Sequence, residues 1–260
     1  MNKDLHHKAA FFDLDGTLIS FKTHQVLPSS MKAIEALKAA GVCCILATGR
    51  PSYHLQEVPV DLFDAYVTLN GQYCYTQDQL LYKNPIDKHD VAVAVSLGRK
   101  QLFACNFLEA DCSYISHKNQ LVSAIEKMCA TEFYVDDIRR ALTHDIYQMH
   151  YFCAPGQESY LLDKTEHIKT CRWCDQFVDV MPKEGGKAQG CARVLEKLGI
   201  NPYDAMAFGD GENDIDMLEH CGTAIVMGNA QDELHQYADI ITDDCDHDGI
   251  YKAVHDLGYI

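Results

Sequence analysis

Asp13, Asp15, Thr48, Lys187, Asp210 and Asp214 fall in four segments spread along the chain, and carboxylates, a hydroxyl and an ammonium are together the parts needed to handle a phosphate and a metal ion. Asp13 and Asp15 stand one residue apart in Asp13-Leu14-Asp15-Gly16-Thr17, directly behind the apolar run Ala9-Ala10-Phe11-Phe12. Side chains alternate along a strand, so the two carboxylates project the same way if the strand continues, and Gly16 lets the backbone turn around whatever they hold. Converging carboxylates suit a divalent cation or a shared proton. Asp-x-Asp-Gly also fits a solvated turn or the start of a calcium loop. The calcium reading fails on Leu18-Ile19-Ser20-Phe21-Lys22, which supplies none of the acidic ligands that an EF-hand continues with.

Three later segments repeat the arrangement. Cys43-Cys44-Ile45-Leu46-Ala47 precedes Thr48-Gly49-Arg50, Gly185-Gly186 precedes Lys187, and Ala205-Met206-Ala207-Phe208 precedes Gly209-Asp210-Gly211-Glu212-Asn213-Asp214. Each has an ordinary structural account: Thr48 as a helix cap, Lys187 as a surface lysine opening an amphipathic helix, and the last Asp and Asn residues as helix starters. With all four segments in order, the chain resembles the haloacid dehalogenase (HAD) superfamily, and specifically its Cof-type (class IIB) phosphatases with a C2 cap. The resemblance covers nearly the whole chain.

Phosphoryl transfer spreads negative charge over nonbridging oxygens, so its site needs a nucleophile, a cation and aimed donors. The resemblance implies Asp13 as the nucleophile, forming an aspartyl-phosphate that water hydrolyses. It implies Mg²⁺ held by Asp13, Asp210 and the backbone carbonyl of Asp15, with Asp214 and Asn213 orienting water and ligands around it. Asp15 would be general acid toward the leaving alcohol and then general base toward water. An ATPase of the superfamily typically carries Thr here and a dehalogenase lacks the acid, so Asp15 selects the phosphatase and phosphomutase pattern. Thr48 is expected to donate to a phosphoryl oxygen, with the Gly49 amide opening a helix beside it. Lys187 is expected to bridge Asp13 and the phosphate.

Leu69-Asn70-Gly71 and Val226-Met227-Gly228-Asn229-Ala230 add two Cof-type marks, with Asn70 and Asn229 expected at the rim of the site. Arg50, a mark of the same branch, is expected either to reach a second anionic group of the substrate or to stand as a surface cation. One departure is Pro182-Lys183-Glu184-Gly185-Gly186-Lys187, where relatives often read Gly-x-x-Lys. Lys183 therefore competes with Lys187, which is preferred because it opens the helix.

The chain has 260 residues, is 47% hydrophobic and carries a net charge of −16 from 38 acidic and 22 basic residues. That charge opposes a nucleic-acid partner, because phosphate backbones are collected by clustered cations. A small phosphorylated metabolite is the expected partner, and a monomer or weak homodimer the expected assembly. No apolar run reaches the roughly 18 residues of a membrane span. Met1 to Lys8 shows no apolar signal region, so a cytoplasmic location is expected. The 12 cysteines fit reduced, buried thiols better than a disulfide framework. Cys171-Arg172-Trp173-Cys174, after His167, has zinc or redox spacing but lacks a second pair, so packing and turn roles are expected.

The expected fold is α/β, a Rossmann-like parallel-sheet HAD core over residues 1–80 and 182–260. Strands and helices alternate from Lys8 to Thr68, with a helix opened at Pro28-Ser29-Ser30 and closed at Gly41. Alternation resumes at Lys187, with a helix to Leu198, a strand to Phe208, a helix to Glu219, a strand to Met227, a helix over Asp232 to Tyr237, a strand at Asp239 to Ile241 and a final helix toward Leu257. The intervening 81–181 reads as an inserted α+β cap. Its strands are expected over Leu102 to Leu108, Ser113 to Ser116, Ile146 to Cys153 and Phe177 to Met181, with helices over Asn119 to Cys129 and Gln157 to His167. Tyr114, His117, Tyr147, His150 and Tyr151 are cap side chains able to contact a sugar or heterocycle, and none is singled out. The functional expectation is a Mg²⁺-dependent phosphatase of sugar phosphates or phosphorylated cofactors. The alternatives are a phosphomutase of the same superfamily and a catalytically silent metabolite sensor.

Overall fold

A computed structural model describes residues 7–172 and 174–260. The stretch before His7, where the absence of a signal region was expected, and Trp173 of the Cys171/Cys174 pair lie outside the described residues. In chain order the elements are β1 (Ala9–Phe12), α1 (Pro28–Ala39), β2 (Cys43–Ala47), β3 (Ala65–Thr68), β4 (Tyr73–Tyr75), β5 (Leu80–Lys83), α2 (Lys88–Arg99), β6 (Ala104–Leu108), β7 (Ser113–Ile115) and α3 (Gln120–Met128). There follow β8 (Gln148–Phe152), α4 (Ser159–Leu162), β9 (Ile168–Cys171), β10 (Val178–Pro182), α5 (Lys187–Leu198), β11 (Ala205–Gly209), α6 (Ile215–His220), β12 (Thr223–Val226), β13 (Ile240–Ile241) and α7 (Gly249–Asp256).

The chain divides into one unit of Met1–Arg50, His54–Tyr82 and Gly186–Ile260 and a second of Pro51–Tyr53 and Lys83–Gly185. These divisions fall a few residues beyond 80/81 and 181/182. The Gly185 N–H donates to Pro182 at 2.8 Å and the Lys183 N–H to His167 at 2.7 Å, which ties the turn after β10 to the second unit.

The first unit is an eight-stranded sheet in the order β13-β12-β11-β1-β2-β3-β4-β5. From β13 to β3 the pairing is parallel, and β4 runs antiparallel to β3. A parallel strand covered on both faces must be apolar on both, which explains why β1 reads Ala-Ala-Phe-Phe and is buried at every position. Ala10 and Phe12 pack with Ile34, Leu37, Ile250 and Val254 on one face. Ala9 and Phe11 pack with Cys191, Val194, Leu195 and Met217 on the other. In α1, Pro28 occupies the first turn, where its missing N–H costs nothing, and Ser30, Ala33, Ile34 and Leu37 form the buried stripe. The same spacing in α5 buries Lys187, Gly190, Cys191, Val194 and Leu195. Lys187 is therefore on the inward stripe of its helix, not on its solvent face.

The second unit is an antiparallel sheet in the order β7-β6-β8-β10-β9. On one face Phe107, Met149, Tyr151, Val178 and Val180 pack with Val91, Ala94 and Val95 of α2. Ala104, Phe152 and Phe177 pack with Val122 and Ile125 of α3.

Several expected elements differ. The helix expected over Gln157 to His167 is only the four-residue α4, because the Asp90 carboxylate accepts the Glu166 and His167 N–H groups at 3.2 and 2.8 Å and draws the chain into β9. Asp232–Tyr237 is a 3₁₀ helix, and two short 3₁₀ turns replace a helix between β2 and β3. Helix α2, capped by the Asp87 carboxylate on the His89 N–H, was not expected, nor were strands β4, β5 and β9. Among the described residues no helix is long and apolar enough to cross a membrane.

Candidate active site

Strands β1, β2 and β11 run side by side and in the same direction, so their C-terminal ends deliver Asp13, Thr48 and Asp210 to one edge of the sheet. Ligand sites in open parallel sheets form at this edge. Main-chain bonds carry the register one residue past the strands: the Asp13 N–H donates to Phe208 at 2.9 Å and the Thr48 N–H to Val67 at 2.8 Å. Gly16 follows with φ of +87°, and a Cβ there would sit 2.1 Å from Asp210 Oδ2. Only glycine allows both the left-handed turn and this approach.

The Lys187 side chain is wholly enclosed. Its Nζ donates to Asp13 Oδ1 and, at 2.6 Å, to Asp214 Oδ1. Burial alone lowers a lysine pKa, but the charges of Asp13 and Asp214 outweigh it and hold Lys187 charged. Asp214 is equally enclosed, and its Oδ2 accepts the N–H groups of Asp210 and Gly211 at 3.1 and 2.9 Å. Both of its oxygens are thus engaged.

Asp13, Asp210 and Asp214 each offer an oxygen within 4.8 Å of the others. Burial, then the charge of Asp214, pushes the Asp13 carboxyl well above its ordinary value against the pull of Lys187. Burial, again followed by Asp214, pushes Asp210 up to about 7. Carboxylates crowded beyond what one ammonium offsets, and offering only hard oxygen donors, fit a small divalent cation such as Mg²⁺. Asp210 is also oriented from outside: Thr17 Oγ1 donates to its Oδ1 at 2.7 Å and Asn229 Nδ2 to its Oδ2 at 3.1 Å. The same Asn229 nitrogen donates to the Gly16 carbonyl at 2.8 Å, and its Oδ1 accepts the Cys245 N–H at 2.9 Å.

The Asp15 side chain is not in this cluster. Arg50 grips it with Nε on Oδ2 at 2.8 Å and Nη2 on Oδ1 at 2.5 Å. Arg50, expected to reach a substrate anion or stand as a surface cation, is bonded to Asp15 through both of these nitrogens. No α-helix begins at Gly49, contrary to expectation; the chain bends there, because Pro51 biases Arg50 away from helical backbone. Thr48 Oγ1 accepts the Arg50 N–H at 3.1 Å, which leaves the hydroxyl proton to be given elsewhere. Leu69, Asn70 and Gly71 all have positive φ, of 54, 52 and 87°, which Leu69 adopts at a cost of about 1–2 kcal/mol. The turn sets Asn70 over Gly49, and Asn70 Oδ1 accepts from Asn213 Nδ2 at 3.1 Å.

Two other groupings in the described residues have metal-like composition, but the buried carboxylate of each has structural work. Asp90, beside Asp87 and His89, binds the N–H groups before β9. Glu109, beside Asp111 and Cys112, accepts from Tyr114 and from two nitrogens of Arg140. Neither grouping includes Cys171 or Cys174. Arg172 between them bonds Glu158, the Cys153 sulfur and the Cys174 carbonyl. Lys183 is exposed, whereas Lys187 is in the site. Thr17 was missed from sequence, although its place in Asp-x-Asp-Gly-Thr, one residue past the turn, was a usable signal.

The sequence matches the pattern of haloacid dehalogenase-like hydrolases over residues 10–254. It is 29% identical over 256 residues, 97% of this chain and 98% of the relative, to YkrA of Bacillus subtilis, a protein named for an inferred phosphatase activity. The solved structure of the HAD subclass IIB sugar phosphatase BT4131 superposes with a TM-score of 0.88 at 32% identity, covering 97% of this chain and 100% of that one. BT1666 from Bacteroides thetaiotaomicron, described among phosphatases of the superfamily, gives 0.91 at 28% identity, covering 100% and 98%. With the strand-end carboxylates, the enclosed lysine and this match along almost its whole length, the chain belongs to the haloacid dehalogenase-like hydrolase family.

Proposed function

We propose that the protein is a Mg²⁺-dependent phosphatase of small phosphorylated metabolites, acting through an aspartyl-phosphate on Asp13. The observation that carries this reading is the enclosed Lys187 ammonium bound to Asp13 and Asp214 beside Asp210. The ammonium fixes the direction of the Asp13 carboxylate and pulls toward its ionised form, leaving its second oxygen for attack on phosphorus. The Thr48 hydroxyl donates to a nonbridging oxygen, and Lys187 offsets the charge that develops there. Asp15, turned by Arg50, gives a proton to the leaving oxygen and later takes one from water. Mg²⁺ held by Asp13 and Asp210 would offset repulsion between those carboxylates and the phosphoryl group. Asp214 and Asn213 hold the surrounding loop. The likeness to the sugar phosphatase BT4131 supports sugar phosphates as the first substrates to try, with phosphorylated cofactors next.

The test is phosphate release from p-nitrophenyl phosphate, sugar phosphates, nucleotides and phosphorylated cofactors, with Mg²⁺ or EDTA, for wild type and Asp13→Asn. Release that needs Mg²⁺ and vanishes in the variant supports the reading. Formation of a product isomer without free phosphate would replace it with a phosphomutase, and a retained ligand without turnover would replace it with a sensor.

A further inference from the structure

We propose that Arg50 is a positioning residue for the proton transfer, one that sets the plane and direction of the Asp15 carboxylate rather than holding substrate. This rests on the reading of Asp15 as the acid toward the leaving oxygen. Two parallel bonds from a planar guanidinium, Nε to Oδ2 and Nη2 to Oδ1, bring carboxylate and guanidinium into a common plane and remove rotation about the last side-chain bond of Asp15. Each carboxylate oxygen spends one lone pair on the fork and keeps the other for a proton.

The arginine is itself held from behind. Its Nη1 donates to the His54 carbonyl at 3.2 Å and lies 3.6 Å from a Glu57 carboxylate oxygen. Its backbone N–H donates to Thr48 Oγ1 at 3.1 Å, and its carbonyl accepts the Leu69 N–H at 3.1 Å. All three guanidinium nitrogens therefore have partners within the protein, and the backbone beneath is fixed on both sides. The side chains of Arg50 and Asp15 are 30% and 37% exposed, where a single-bonded ion pair would be loosened by water. A forked contact anchored at its far end resists that loosening. Arg50 also joins the hydroxyl expected on the phosphate to the carboxylate expected on the leaving group, so one residue fixes their spacing.

The chemistry offers a way to separate this role from phosphate binding. A p-nitrophenolate leaves as a stable anion and needs little help from an acid, whereas the alkoxide of a sugar or glycerol phosphate must be protonated as it departs. The kcat/KM value reports the first irreversible step, attack by Asp13, so later hydrolysis of the aspartyl-phosphate does not enter it. Arg50→Lys keeps the charge but not the fork. It is expected to lower kcat/KM by about 100-fold or more for an alkyl phosphate, within the range attributed to general acids, and by under about 3-fold for p-nitrophenyl phosphate. Asp15→Asn should show the same bias, and the double variant should be little worse than Asp15→Asn alone. Arg50→Ala should regain alkyl-phosphate turnover with added guanidinium at concentrations that leave wild type unaffected, which a merely structural role would not give. Equal losses on both esters in an enzyme whose wild type is active would overturn the positioning role and assign Arg50 to the phosphate. A wild type inert on both esters would overturn the phosphatase reading, and this role with it.

Discussion

Lys187 and Asp13, 174 positions apart in the chain, form an ion pair closed off from water. Charges in such a place are costly unless matched, so the pair and its neighbour Asp214 set the electrostatics of the whole sheet edge. Removing different members should have opposite consequences.

Lys187→Met leaves Asp13, Asp210 and Asp214 without their ammonium. At pH 7.5 without metal it is expected to lose about 3–5 kcal/mol of unfolding free energy, and Mg²⁺ should restore part of it. Denaturant titration with Mg²⁺ or EDTA measures this, and an unchanged midpoint would contradict it.

Asp13→Asn should abolish turnover without lowering the melting temperature. Burial and the nearby carboxylates hold Asp13 in a position unfavourable to its charge, and Lys187 retains Asp214 when Asp13 is neutralised. Calorimetry of both proteins in EDTA is the check; a fall of more than about 1 kcal/mol would show that the pair contributes more than the crowding costs.

Mg²⁺ affinity should rise with pH and level off above neutrality. Asp210, with an ordinary value of 3.8 but raised to about 7, holds a proton in the metal-free folded protein throughout that interval, while the unfolded chain has released it. The folded state therefore binds more protons there, and this group's contribution to metal-free stability falls as pH climbs toward 7. A cation must displace that proton, so isothermal titration at pH 6 in buffers of different ionisation enthalpy should show release of up to about one proton per ion, less in Asp210→Asn. Identical heats, after buffer correction, at pH 6 and 8 would exclude this coupling.

Acid should destabilise the fold partly through His7. Burial lowers its pKa against the pull of Asp204, and its ring nitrogens sit 3.0 Å from the Tyr259 hydroxyl and 2.9 Å from Thr223 Oγ1. The neutral ring is the folded form, so its contribution is complete above the ordinary value of 6.5 and is lost as pH falls below it. The melting temperature should drop between pH 7 and 5.5, and the slope should be shallower in His7→Gln.

Much of the site could be read from sequence because strand ends are local: Asp13, Thr48 and Asp210 each follow an apolar run that must be a buried strand, and the chain direction puts them at one edge. Lys187 was legible as a helix opener, but its place on the buried stripe depended on counting Gly190, Cys191 and Val194 as inward. The partner of Arg50 was not legible. Its spacing from Asp15 says nothing about approach across the sheet, and the bend imposed by Pro51 decides where the guanidinium goes. Thr17 carried a local signal in Asp-x-Asp-Gly-Thr, but its partner Asp210, 193 positions on, did not show in the spacing. In the second unit, the early end of α4 was set by Asp90, far away in sequence, and no local propensity reports it.

The order β11-β1-β2 has a consequence for how the protein is made. The strand carrying Asp13 pairs on one side with β2, synthesised soon after it, and on the other with β11, which emerges only after the whole second unit. Until then the growing chain holds an apolar parallel strand with one ladder edge open, the kind of surface that recruits chaperones or wrong partners. Lys187 emerges in the same late stretch, so the ribosome finishes the sheet and supplies the nucleophile's counter-ion in a single passage.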